Sequence, residues 1–145
     1  MNTPDDVKAS VREKYASIAR SNDQGDGSCC CGSADDELEV TMIGDDYDGV
    51  EGYVADADMQ LGCGVPTDLA EIQSGDAVLD LGSGAGLDAF TARHITGPDG
   101  RVVGVDMTPE MVKKARANAA SLGFDNVSFL EGDIEDLPLG DAQFD

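Results

Sequence analysis

The sequence predicts an α/β protein built on a parallel sheet. Two observations carry that reading. From residue 77 onward, short apolar runs alternate with helical periodicity in the order strand, helix, strand, helix, strand. At this spacing the connections are right-handed crossovers, which give parallel strands with helices on both faces. The first strand also runs directly into "DLGSGAG", which sets Gly82, Gly84 and Gly86 in the turn between strand and helix.

The elements follow in order. "TPDDVKASVREKYASIAR" reads as an opening helix over residues 4–20. Thr3 can cap it, Pro4 suits its first turn and Asp6 completes a capping-box-like pair. Val7, Val11, Tyr15 and Ile18 form an apolar stripe at helical spacing. "SNDQGDGSCCCGSADD" is rich in Ser, Gly, Asp and Asn, so it offers nothing to drive a core and reads as a loop. Residues 37–65 are weakly patterned. "GVPTDLAEIQSGD" predicts a short helix begun by Pro66 and Thr67, with Leu69, Ala70 and Ile72 buried and Gly75 as the stop.

"AVLDLG" is then a short buried strand, and "SGAGLDAFTARHITG" runs from the glycine turn into a helix ending near Gly97. "RVVGVD" is a second strand. "TPEMVKKARANAASLG" is a helix capped by Thr108, with Pro109 in its first turn and Gly123 as its stop. "VSFLEGD" is a third strand, and "LPLGDAQFD" leads toward a fourth. The expected organisation is an N-terminal extension over 1–65, with helix 4–20 and the cysteine-containing loop. The first part of a ligand-binding domain follows over 66–145, truncated before its fourth strand. An open sheet that stopped there would leave an edge bare.

The composition restricts partners. In 145 residues there are 30 acidic and 9 basic side chains, a formal net charge of −21. Such a surface repels nucleic acid and anionic lipid, so neither is expected as a partner. The acids are spread along the chain, as in Asp5-Asp6, Asp35-Asp36 and Asp45-Asp46, a pattern that suits a salt-adapted cytoplasm better than an acidic tail. No segment approaches the ~20 apolar residues of a membrane span. "MNTPDD" has neither the basic start nor the apolar run of a secretory leader. The expectation is a soluble cytoplasmic protein with reduced thiols.

The glycine turn has the properties of a nucleoside cradle: tight turning, close approach by a ligand, and unpaired N–H groups at the following helix. It departs from the nicotinamide fingerprint, because Leu87 stands where the third glycine would fall. It also lacks the Lys-Ser or Lys-Thr of a phosphate loop. Asp106 ends the second strand, where a carboxylate can accept hydrogen bonds from ribose hydroxyls.

Asp80 on strand one, the offset glycines, Asp106 and "GDIEDLP" after strand three together resemble the class I S-adenosylmethionine-dependent methyltransferases. The resemblance implies a three-layer Rossmann-like fold and S-adenosylmethionine as cofactor. It places Asp80 near the methionine moiety, and Gly82, Ser83, Gly84 and Gly86 under the nucleoside. It also sets Asp106 on the ribose, Met107 against adenine, and Asp133, Ile134 and Glu135 at the adenine edge. An acidic crevice suits a sulfonium cation. On the residues alone, Asp80 can instead cap the turn, Met107 can be core, and Asp133 and Glu135 can be solvated loop acids.

The four cysteines are Cys29, Cys30, Cys31 and Cys63. Adjacent cysteines are too close for a relaxed disulfide. Their spacing is wrong for structural zinc, and His94 reads as an ordinary surface or capping residue of a helix, so no resident metal is expected. Soft thiolates instead suit a thiophilic centre, such as trivalent arsenic or antimony, which takes three sulfurs. "VREKYASIAR", the Ser-Cys-Cys cluster, "VEGYVADADMQLGCGVPTDLAEIQSGDAVLDLGSGAGLD" and "GRVVGVDMTPEMVKKARANA" resemble the microbial arsenite methyltransferases across nearly the whole chain. That resemblance implies that Cys63 is an arsenic-handling thiol, partnered by one or two of Cys29, Cys30 and Cys31. The substrate would be arsenite or its thiol complexes, with a thiol reductant as co-reactant. The family also carries cysteines after the fourth strand, so a fragment without them is expected to be inactive alone. Two alternatives stand: a methyltransferase of another small molecule or a quinone, and a non-enzymatic metalloid-binding module.

Overall fold

The structure is a computed structural model that describes residues 3–22, 50–59 and 65–145. The four cysteines, Cys29, Cys30, Cys31 and Cys63, lie outside the described residues. Helix α1 spans Pro4–Asn22. Strand β1 (Ala77–Leu81), helix α2 (Leu87–Thr96), strand β2 (Arg101–Asp106), helix α3 (Pro109–Leu122) and strand β3 (Val127–Glu131) then alternate as the sequence predicts. Single 3₁₀ turns stand at Ala55–Ala57 and Pro66–Asp68.

The sheet has the order β1-β2-β3 and is wholly parallel. Its register sets Asp80 beside Gly104, and Gly104 beside Phe129. Partners across a parallel ladder share a face, so these three residues form one row. On the row's face the core joins Ala89 and Phe90 of α2, Val112, Ala115 and Ala119 of α3, and Phe129 of β3. The Phe90 and Phe129 rings meet edge-on at 5.7 Å between centroids, a favoured aromatic geometry. Helices α2 and α3 therefore form one layer on one face. The sequence predicts helices on both faces; among the described residues they cover one, because two right-handed crossovers that advance in the same direction place their helices on the same side. At the outer edge of β1, the Asp145 N–H donates to the Ala77 carbonyl.

Helix α1 begins with the predicted capping box. The Asp6 N–H donates to Thr3 Oγ1 at 3.2 Å, and the Thr3 N–H donates to Asp6 Oδ2 at 2.8 Å. The Thr3 N–H bond, with the Thr3 hydroxyl, holds the Asp6 carboxyl below its ordinary pKa. The buried face differs from the predicted stripe. Val7 is 50% exposed and Val11 lies near the surface, whereas Ala16 and Ala19 are buried. Small side chains let the helix approach closely: Ala19 packs with Ala85 of the glycine turn and Met111 of α3, against Tyr15 and Met59.

The predicted helix after Pro66 is a correction. It is a single turn, closed by Asp68 N–H to the Val65 carbonyl and Leu69 N–H to that of Pro66. Glu71 has φ +50°, which no α-helix continues. Leu69 is 87% exposed and Ala70 is exposed, while the buried residue is Thr67. Ile72 packs on the core as expected. Helix α3 does start after Thr108 and stop at a left-handed Gly123, but the Thr108 side chain makes no capping hydrogen bond. His94 is an exposed residue of α2, 3.6 Å from Glu51.

Candidate functional site

The loops that leave the carboxyl ends of β1, β2 and β3 surround a cavity of about 700 Å³. Open parallel sheets bind ligands at these ends, because the crossovers leave a crevice there. Of the residues singled out in the sequence, Asp80, Gly82, Ser83, Gly84, Asp106, Met107, Asp133 and Ile134 all line it. Gly86 and Glu135 do not.

The glycine turn is held by its backbone. The N–H groups of Gly82 and Ser83 both donate to the Val105 carbonyl, at 2.8 and 3.1 Å. Gly84 N–H donates to Asp106 Oδ2 at 2.9 Å, and Thr108 N–H to Asp106 Oδ1 at 2.8 Å. Asp106 thus joins the turn to the start of α3, and each of its oxygens keeps a lone pair for a ligand hydroxyl. Gly82 and Gly84 have φ +77° and +50°, and a Cβ on either would meet nothing within 4 Å. They leave open space. Gly86, at φ +101°, does different work: its Cβ would lie 2.8 Å from both the Phe90 and Phe129 rings. Gly104 likewise makes room, since a Cβ there would stand 2.5 Å from Phe129 and 2.7 Å from Ser83 Oγ.

Three side-chain atoms among the described residues are buried without a hydrogen-bond partner: Thr67 Oγ1, Asp80 Oδ2 and Ser83 Oγ. All three residues line this cavity. Leaving a buried polar atom unpaired costs about 1–3 kcal/mol, so three around one space point to a ligand that pairs them. Burial raises the Asp80 carboxyl to about pKa 7, with further upward pressure from Asp88 and Asp106. An N–H from Ala89, in the first turn of α2, partly offsets this. The described lining includes five aspartates, Asp58, Asp80, Asp88, Asp106 and Asp133, and no basic residue. Leu87, Met107, Met111 and Ile134 supply apolar wall. The space suits an elongated ligand with hydroxyls, a flat apolar part and positive charge.

Sequence reasoning missed Thr67, Tyr15 and Met59 as lining residues. In the sequence Thr67 has the pattern of a helix start and Tyr15 that of a core residue, and no sequence pattern places either near the glycine turn. Asp133 and Glu135 are engaged rather than merely solvated. Asp133 Oδ2 accepts from Lys8 Nζ at 2.7 Å, Glu135 Oε2 accepts from the same nitrogen, and Glu135 N–H donates to Asp133 Oδ1 at 3.0 Å. The Lys8 hydrogen bond, with the others, holds the Asp133 carboxyl below its ordinary pKa.

Among the described residues, no group of three or more His, Cys, Asp or Glu could hold a metal ion. No described helix is long and apolar enough to cross a membrane.

Comparison with known proteins agrees with this geometry. Residues 72–145 match the family described as a methyltransferase domain. An arsenite methyltransferase of Halobacterium salinarum is 45% identical over 151 residues, covering 95% of this chain and 38% of that protein. An arsenite methyltransferase of Aquipseudomonas alcaligenes is 44% identical over 91 residues, 58% of this chain and 26% of that protein. The chain thus spans well under half the length of either relative. A solved SAM-dependent methyltransferase from Aquifex aeolicus superposes with a TM-score of 0.51 at 33% identity, over 55% of this chain and 44% of that one. The chain therefore belongs to the methyltransferase domain family, with a Rossmann-like fold and S-adenosylmethionine as its cofactor.

Proposed function

We propose that the protein methylates trivalent arsenic, and that this chain supplies the cofactor site and the first arsenic-binding thiols. The observation that carries the substrate class is the reach of the similarity. The family match begins at residue 72, whereas likeness to the H. salinarum arsenite methyltransferase covers 95% of the chain. It therefore takes in the N-terminal region that holds the cysteines. A methyltransferase of unrelated substrate would share the cofactor fold alone.

The cavity residues fit the cofactor. Asp80, with its unpaired Oδ2, would face the positively charged methionine end. Asp106 would take the ribose hydroxyls, and Gly82, Ser83 and Gly84 would pass beneath the nucleoside. Met107 and Ile134 would sandwich the adenine, with Asp133 at its edge. When bound, the cofactor supplies an electrophilic methyl group on a sulfonium. Thr67 Oγ1 is the remaining unpaired donor, on the wall nearest in sequence to Cys63.

Cys63 stands four residues after Met59 and three before Pro66, both of which line the cavity. It is the proposed arsenic ligand, joined by thiols from Cys29, Cys30 and Cys31. Arsenic held by thiolates keeps its lone pair, so it is the nucleophile and needs no general base. The cofactor held by Asp80 and Asp106 would supply the methyl group to that lone pair, and the thiolates would hold the arsenic in line with it. A thiol reductant returns the arsenic to its trivalent state. The chain's contribution is alignment, and alignment alone is worth several orders of magnitude in rate.

The test separates the two halves of the reading. Cys63→Ser in the protein that carries these residues is expected to lower arsenite methylation on the order of a hundredfold, because a misplaced nucleophile loses its alignment. S-adenosylhomocysteine affinity should stay unchanged, measured by calorimetric titration. Methylation at the unaltered rate would remove arsenic from the reading and favour another small-molecule substrate.

A further inference from the structure

The N-terminal helix reaches both loops that flank the cavity. At one end, Lys8 Nζ binds Asp133 at 2.7 Å and Glu135 in the loop after β3. At the other, Arg20 binds Glu110 of α3 at 2.6 Å and Glu13 of its own helix at 2.6 Å. Between them Ala19 and Tyr15 pack on Ala85 in the glycine turn, together with Met111. Tyr15 also lines the cavity. One helix therefore touches both loops, and its Lys8–Asp133 contact joins residues 125 apart in sequence.

We propose that Lys8 is a positioning residue for cofactor binding: it fixes the loop 133–135 against α1, so that Asp133 and Ile134 face the adenine end of the cavity. This rests on the reading of the cavity as the cofactor site. The geometry explains why a cation is needed there. Asp133 and Glu135 lie two residues apart on a chain of net charge −21 and would repel each other. Lys8 binds both, so their side chains are held on one nitrogen instead of diverging into solvent. Asp133 Oδ1 is meanwhile occupied by the Glu135 N–H, which closes the loop into a tight turn. The Asp136 N–H bond to the Asp133 carbonyl, at 3.0 Å, completes it. Ile134, at the apex of this turn, is 61% exposed and belongs to neither buried apolar cluster. The residues on either side of it are both bound to Lys8.

The experiment is calorimetric titration of the chain with S-adenosylhomocysteine at fixed ionic strength. Lys8→Met is expected to weaken binding a few-fold, the scale of a partly exposed ion pair, and Lys8→Arg to restore most of it. The decisive step is a double-mutant cycle. In an Asp133→Asn, Glu135→Gln background, Lys8→Met should have no further effect on affinity. An equal loss in both backgrounds would mean that Lys8 merely stabilises the fold, and would overturn the proposal. So would unchanged affinity in Lys8→Met. Absence of binding by the unaltered chain would instead sink the cofactor reading, and this inference with it. Circular dichroism of Lys8→Met, expected to match the parent's helix content, guards against loss of α1.

Discussion

Asp80→Asn should weaken binding of S-adenosylmethionine by about two orders of magnitude at pH 8, because removing one partner of a buried charge pair costs on the order of 2–5 kcal/mol. The same substitution should make the cofactor-free chain more stable at that pH. Both effects come from one carboxyl group. Burial, with Asp88 and Asp106 close by, raises its pKa to about 7 from the ordinary 3.8. Between those values the folded chain holds a proton that the unfolded chain has released. Stability therefore falls as pH rises from about 4 to about 7, and the full penalty is present above 7. Asparagine cannot ionise, so it removes the penalty. The gain should be on the order of a few kcal/mol at pH 8 and vanish near pH 4, read as the difference between variant and parent in urea unfolding. Ligand binding has the opposite slope. A sulfonium or ammonium is attracted to the ionised carboxylate, so affinity of the parent should rise up to tenfold per pH unit below 7 and level off above it. In Asp80→Asn that slope should disappear. A parent titration flat between pH 5.5 and 8 would show that Asp80 does not face the positive end of the ligand.

The strands and helices from residue 77 to 131 could be read from the sequence because local signals and tertiary packing agree there. Apolar β-branched runs sit between glycine stops, and α2 and α3 end at Gly97 and Gly123. The acids at the strand ends were legible for the same reason, since the parallel topology alone sends them to one crevice. What failed was decided by contacts distant in sequence. Leu69 and Ile72 have equivalent hydrophobicity, yet Ile72 packs on the core and Leu69 faces solvent, because a left-handed Glu71 ends the turn between them. Val7 and Val11 looked like the buried stripe, but the neighbour of α1 is another helix with a small-residue contact. Alanines at 16 and 19 fit it better. The bridge from Lys8 to Asp133 joins residues whose pairing no periodicity encodes. The three glycines of the turn illustrate the limit most clearly, since identical residues proved to have two different tasks.

Gly86→Ala is expected to unfold or severely destabilise the chain, whereas Gly84→Ala should leave the fold in place. Both positions have positive φ, so alanine carries roughly 1–2 kcal/mol of backbone strain at either. The difference is what the added methyl meets. At Gly84 it meets nothing within 4 Å and projects into open space at the cavity. At Gly86 it would come within 2.8 Å of Phe129 Cζ and of Phe90 Cε2 and Cζ. Those rings are the contact between α2 and β3, and Phe90 is fully buried. They cannot withdraw without opening the core, and forced overpacking adds roughly 1–3 kcal/mol to the strain. For a domain whose total stability is about 5–15 kcal/mol, the sum is a large fraction of what holds it together. Thermal unfolding should therefore separate the two variants by roughly 2–4 °C per kcal/mol of difference. Ligand titration should separate them the other way. Gly84→Ala, still folded, should lose S-adenosylhomocysteine affinity because its methyl occupies the space a nucleoside needs. If Gly84→Ala bound as tightly as the parent, the glycine turn would not be the floor of the cofactor site. If Gly86→Ala melted with the parent, the close approach of α2 to β3 would not depend on that missing side chain.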